Sequence, residues 1–247
     1  MRRLATVTIP APDLRPDAFL RHASGEARGF WARGHHWVAH RGVAVELRAP
    51  DGDAGDRFDL VANQAREISM APVLPAGAAR APRIRFYGGF SFRADHKPEG
   101  VWESFPSSLF HVPLFELEGD ASGDAWLTAR AIVEKGVFVR LRHRAEALRA
   151  ELASMAETSP PRRAQVIGRR IDTDRRNWEG AVDKCLAAVR AGRVAKVVLA
   201  RIRDVDLDDA VDVVDVVAHL WEANRGSHVF MFEAEAEEFQ RAGIRVG

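Results

Sequence analysis

The chain is most informative first for what it has little of. It holds one cysteine, Cys185, which excludes an internal disulfide framework and suits a reducing cytosol. Neither sign of charge dominates. Lysine and arginine number 36 against 35 acidic residues, a formal net charge of +1, so no overall field draws the chain to nucleic acid or an anionic membrane. No apolar stretch approaches the ~18 residues needed to span a bilayer. At the start, Met1-Arg2-Arg3-Leu4 carries two positive charges, but Pro10, Pro12 and Asp13 arrive before any apolar run long enough for a secretory signal. No internal repeat stands out. What remains is ordinary for a globular cytoplasmic protein: 47% apolar and 29% charged residues in 247, enough for one large domain or two modest ones.

Periodicity supplies the elements. Leu4, Val7 and Ile9 read as a short strand stopped by Pro10 and Pro12. Phe30 to Leu47, with Gly34 and Gly42 between apolar runs, reads as a two-strand hairpin. Arg48 to Arg57 is a Gly/Asp/Pro loop, Leu60 to Ala71 a short helix, and Pro72 to Pro82 a surface connection. Ile84 to Phe92 is a strand whose Gly88-Gly89 pair points to a bulge or a close backbone approach. Phe110 to Leu117 and Trp126 to Val133 form a hairpin. Apolar residues at 137, 141, 145, 148, 152 and 155 then make Val137 to Glu157 a long amphipathic helix. Thr158 to Arg163, with two prolines, is the candidate boundary between a strand-rich region, 1–165, and a second region, 166–247. In the second region Asn177 to Val189 is a helix closed by Gly192, Asp208 to Ala223 another, and His228 to Phe232 a strand. Strands first and helix–strand units later give an α+β fold with a mainly antiparallel sheet and helices packed outside.

Several features invite chemistry and carry little. His35, His36 and His40 fall close together but lack companion ligands at structural-metal spacing. The pairs Arg162-Arg163, Arg169-Arg170 and Arg175-Arg176 have no interleaved aromatics for base stacking and read as a solvated face. Cys185 sits on an apolar helix face as a small core residue. Gly88-Gly89 precedes no helix and matches no phosphate loop.

One run differs. Lys196-Val197-Val198-Leu199-Ala200-Arg201 sets a lysine inside an apolar, strand-like stretch from Val194 to Ile202. In extended geometry Lys196 shares a face with Val194, Val198, Ala200 and Ile202. A free lysine titrates near ~10.4 and is a poor base at neutral pH. Full burial among apolar neighbours lowers such a value by up to roughly 3–5 units, which makes a general base. The alternative is a strand-edge lysine with its stem on apolar surface and its amine in water.

Four ordered segments carry a resemblance. Gly29-Phe30-Trp31 with Trp37-Val38-Ala39-His40-Arg41-Gly42 resembles the opening strands of the isochorismate synthases, within the chorismate-utilising enzyme family. Phe86-Tyr87-Gly88-Gly89-Phe90-Ser91-Phe92, followed by Trp102, Phe105-Pro106 and Pro113, resembles the family's Phe-Gly-Gly-Phe segment. Lys196 to Arg201, after an amphipathic helix and a glycine, is similar to its catalytic-lysine strand. Asn224 to Glu233 resembles the strand that follows. The likeness runs from about residue 29 to residue 233.

The resemblance implies the anthranilate-synthase-like fold, chorismate as substrate and a magnesium cofactor. Lys196 would deprotonate a water that attacks C2 of chorismate, with loss of the C4 hydroxyl, for menaquinone, siderophore or salicylate formation. In family members the general acid sits in a Gly-Ala/Ser-Ser/Thr-Pro-Glu turn soon after the strand matching Phe232, and the magnesium glutamates lie further on. Here the chain departs at about Ala234, reading Ala234-Glu235-Ala236-Glu237, and stops at Gly247. The resemblance therefore implies a truncated front half with little activity alone. A salicylate synthase-type enzyme, a non-catalytic remnant, or a partner subunit needing a separately encoded C-terminal half are the alternatives.

Overall fold

In Phe115-Glu116-Leu117-Glu118 and Ala125-Trp126-Leu127-Thr128-Ala129-Arg130, every second residue is apolar, so a strand there carries one apolar and one polar face. The computed structural model describes residues 2–50, 56–73, 83–93, 95–155, 164–171, 174–201 and 203–234. In chain order the elements are β1 (Arg2–Pro10), α1 (Pro16–His22), β2 (Arg28–Arg33), β3 (His36–Leu47), α2 (Arg57–Arg66), β4 (Ile68–Val73), β5 (Tyr87–Phe90), β6 (Ser108–Gly119), β7 (Ala125–Ile132), α3 (Val137–Ser154), β8 (Val166–Ile171), α4 (Arg175–Arg190), β9 (Arg203–Leu207), α5 (Val213–Ala223) and β10 (His228–Glu233). Two compact units result: the described residues up to Met155 together with those from Val213 onward, and the described residues between 164 and 212.

The larger unit is built on a sheet ordered β10-β2-β3-β6-β7-β1-β4, with β5 paired to β6. Its pairings are antiparallel except that β1 and β4 run parallel. One face carries Ala5, Val7, Ile9, Phe30, Ala32, Trp37, Ala39, Leu117, Leu127 and Ala129, packed against α1, α3 and α5. The helix spacing does what the sequence implied: Val137, Leu141, Ala145, Leu148 and Leu152 of α3 are all buried. Below the other face lies a smaller core of Leu4, Val45, Leu47, Ala49, Val61 and Val112.

The hairpin expected from Phe30 to Leu47 forms as β2 and β3, turning at Gly34. Gly42 makes no turn. It takes φ +62° inside β3, next to a break in register against β6 between Val43 and Val45, a bulge that changes which face the following residues meet. Gly88 satisfies the expectation of close approach: at φ +151° a Cβ there would sit 1.9 Å from the Leu109 carbonyl oxygen.

Several expectations are corrected. The helix placed over Leu60 to Ala71 begins earlier and ends at Arg66, and Ile68–Val73 is a strand instead. Pro72 misled the reading. It stands in register with Thr6 on β4, the last strand in the sheet order among the described residues, where a missing amide is tolerated. Of the connection Pro72 to Pro82, residues 74–82 lie outside the described residues, as do the boundary segment 156–163 and residues beyond Ala234. The helix expected from Asp208 starts at Val213. It and β10 pack into the larger unit through an Arg21–Asp215 ion pair, a Phe30–Trp221 edge contact at 5.4 Å, and Trp221 Nε1 donating to the Gly34 carbonyl at 2.8 Å.

Candidate functional site

Lys196 belongs to the smaller unit. The approach to it follows the sequence. Asp174 caps α4 by accepting from the Asn177 amide at 2.8 Å, and Gly192 at φ +68° ends it. The Arg193 amide then reaches back to the Ala188 carbonyl at 3.0 Å, the closing bond of a glycine-terminated helix. The strand expected from Val194 to Ile202 is not formed: residues 194–201 adopt no regular element, and Ile202 lies outside the described residues. Lys196 is exposed. So are the neighbours meant to shelter it, Val194 at 40%, Val198 at 77% and Ala200.

The reason is a lack of partners. A strand needs a neighbour to take its amides and carbonyls and a layer to cover its side chains. Among its described residues the smaller unit offers one two-stranded ladder, β8 with β9, and α4. None of its residues whose side chains are described is buried. The Arg201 guanidinium of the segment lies over the Trp178 ring of α4, 5.5 Å from its centroid.

A second cluster, unforeseen from the sequence, occupies the polar face of the larger sheet. Glu116 on β6 is buried and accepts from Arg85 Nη1 at 2.6 Å, Tyr87 Oη at 2.9 Å and Arg130 Nη2 at 3.3 Å. Arg85 also donates to Glu118 at 2.6 Å. His40 on β3 is buried and stacks on Tyr87. Burial, with help from His111 and Arg130, pushes its imidazole down to about 3. Burial and the adjacent Glu116 carboxylate push the Tyr87 phenol far up. Neither group changes charge near neutral pH, so the cluster holds its protons rather than moving them. The signal for it was present: Glu116 and Glu118 alternate with Phe115 and Leu117, and such a strand buries charge if anything covers its second face.

The histidines weighed together as ligands do not converge. His35 is exposed at a turn, His36 approaches Glu118 at 3.5 Å, and His40 lies against Tyr87. Cys185 is half-buried on α4. Among the described residues no three histidine, cysteine or carboxylate side chains are grouped to hold a metal ion. The described residues therefore do not fit a magnesium site. Among the described residues no helix is long and apolar enough to cross a membrane.

Comparison with known proteins fixes the family. No curated protein sequence matches the chain. The solved structure of MenF, the menaquinone-specific isochorismate synthase from Escherichia coli, is similar in fold, with a TM-score of 0.59 at 16% sequence identity. The match covers 95% of this chain and 48% of that one, so the chain spans about half the length of its structural relative. The mixed, mainly antiparallel architecture is thus that of the chorismate-utilising fold. The family model described as chorismate binding enzyme matches residues 1–242, and the chain belongs to that family.

Proposed function

We propose that this chain contributes the base-bearing part of an isochorismate synthase-type enzyme, with chorismate as substrate and Lys196 as the base. The observation that carries the reading is the Lys196-to-Arg201 run placed directly after a glycine-capped helix, in a chain whose family model covers residues 1–242. In the reaction, Lys196 Nζ takes a proton from water as the water oxygen bonds to C2. Both ring double bonds shift, C1=C2 to C1=C6 and C5=C6 to C4=C5, as the C4–oxygen bond breaks. The departing hydroxyl takes a proton from a general acid that the described residues do not supply, so one water is consumed, one is released and the conversion is an isomerisation. General acid and base assistance are worth about 10²–10⁴-fold each.

Lys196 is exposed in this chain, so the shelter a lysine base requires has to come from polypeptide beyond the described residues. A second reading follows from that exposure and from the absence of burial among the side chains described in the smaller unit. In it the chain is a subunit that acts once a separately encoded C-terminal half covers this surface.

Purified alone and given chorismate with magnesium, the chain is expected to form little isochorismate. A rate like that of a full synthase would remove the need for any covering half. Co-expressed with a downstream-encoded polypeptide carrying the Gly-Ala/Ser-Ser/Thr-Pro-Glu turn, it is expected to gain isochorismate formation that Lys196→Ala lowers by about 10²-fold or more. Undiminished turnover in that variant would refute the role of Lys196.

A further inference from the structure

The polar face of the larger sheet holds two facing groups that the ion-pair cluster leaves unsatisfied. Thr6 on β1 stands in register with Arg130 on β7, and each is 0% exposed. Two pairs along, on the same face, Thr8 and Thr128 join their hydroxyls at 3.0 Å. Thr6 and Arg130 do not. Thr6 Oγ1, Arg130 Nε and Arg130 Nη1 are all buried without a hydrogen-bond partner among the described residues. Arg130 Nη2 alone is engaged, with the Arg83 carbonyl at 3.0 Å and with Glu116 at 3.3 Å. Glu116 makes its closer contacts with Arg85 and Tyr87, so the buried Arg130 cation is the less compensated partner.

Buried polar atoms are nearly always satisfied, and an orphaned group calls for an occupant. Arg130 has one carboxylate, Glu116 at 3.3 Å, which it shares with Arg85, and its two remaining buried donors favour an anionic acceptor. We propose that a single halide-sized monovalent anion sits between Thr6 Oγ1 and the free donors of Arg130, inside the larger unit and independent of Lys196. Facing positions on neighbouring antiparallel strands have Cβ atoms about 4.5–5.5 Å apart, and both side chains are closed off from solvent. With both side chains 0% exposed, the candidate occupant is a single small ion rather than an organic acid. The Thr6 hydroxyl donates to the anion as Arg130 does, so both orphans are answered together.

Crystals of the full chain soaked in sodium bromide test the site directly. The expected result is an anomalous bromide peak within hydrogen-bond reach of Thr6 Oγ1 and Arg130. A peak without anomalous signal, an ordered water, overturns the proposal. In solution, thermal unfolding in sodium bromide is compared with sodium gluconate at equal ionic strength. Above the dissociation constant the melting temperature is expected to rise on the order of 3 °C per tenfold bromide. Thr6→Val, which keeps the shape and loses the hydroxyl, is expected to abolish that response, and Thr6→Ser to keep it. Equal responses in bromide and gluconate, a response unchanged in Thr6→Val, or a crystal peak with no solution effect (binding at crystal concentration only) each count against the site. Should Thr6→Val fail to fold, the wild-type bromide–gluconate comparison and the anomalous map still decide.

Discussion

The His40 imidazole lies nearly parallel to the Tyr87 ring, centroids 4.0 Å apart, in space opened by a missing side chain on the neighbouring strand. Gly29 faces His40 across the β2–β3 ladder. A Cβ on Gly29 would fall 2.3 Å from His40 Nε2.

Gly29→Ala should therefore push the imidazole off its stack. The expected cost is about 1–3 kcal/mol, typical of overpacking a filled interior, read as a lower urea midpoint with an unchanged m-value. No loss of stability would show that the ring moves aside freely.

Acid should weaken the larger unit through His40. Its unfolded value is near ~6.5, and burial holds the folded value at about 3. Between those limits the unfolded chain binds the extra proton, so stability is complete above the upper limit and falls as pH drops toward the lower one. One such group gives a slope of at most about 1.4 kcal/mol per pH unit. Urea titrations from pH 7 to 4 should show a shallower slope for His40→Gln. An unchanged slope assigns the acid sensitivity elsewhere.

Glu116 should matter more than any one of its donors. Glu116→Ala leaves the buried Arg130 and the flanking Arg85 without their shared carboxylate, and breaking a buried pair from one side costs about 3–5 kcal/mol. Tyr87→Phe removes a single donor, worth roughly 0.5–1.5 kcal/mol. Chemical denaturation of the two variants should keep that order. Equal costs would show that Glu116 is paired no more tightly than an exposed carboxylate.

The smaller unit should exchange its amides early. With residues 194–201 outside any strand and none of them buried, hydrogen exchange followed by mass spectrometry should label 194–200 well before β1, β6 and β7. Protection of 194–200 comparable to β6 would contradict the exposure of Lys196.

Those outcomes mirror what could be read beforehand. Alternation around Phe115 to Glu118 and the three-and-four spacing of α3 are local, and each produced its element. The short α1, opened by Pro16, gave too few turns for a periodic signal. The pairing of β8 with β9 joins residues more than thirty positions apart and left no local mark. The Lys196 run has strand-forming composition, yet composition supplies no neighbour. The Glu116 cluster joins Arg85, Tyr87, Glu116 and Arg130 from three strands and a loop, and only the folded sheet brings them together.

The register break after Gly42 has an effect beyond local shape. Before it, Trp37 and Ala39 serve the helix-covered core. After it, Val45 and Leu47 serve the opposite one. A single extra residue thus lets one continuous strand fasten both layers of the protein. Were β3 to pair straight through with all its residues kept and no bulge, Val45 and Leu47 would turn toward the helices and Glu46 would fall among apolar groups, so the two hydrophobic interiors are held in mutual alignment by one irregularity beside a glycine.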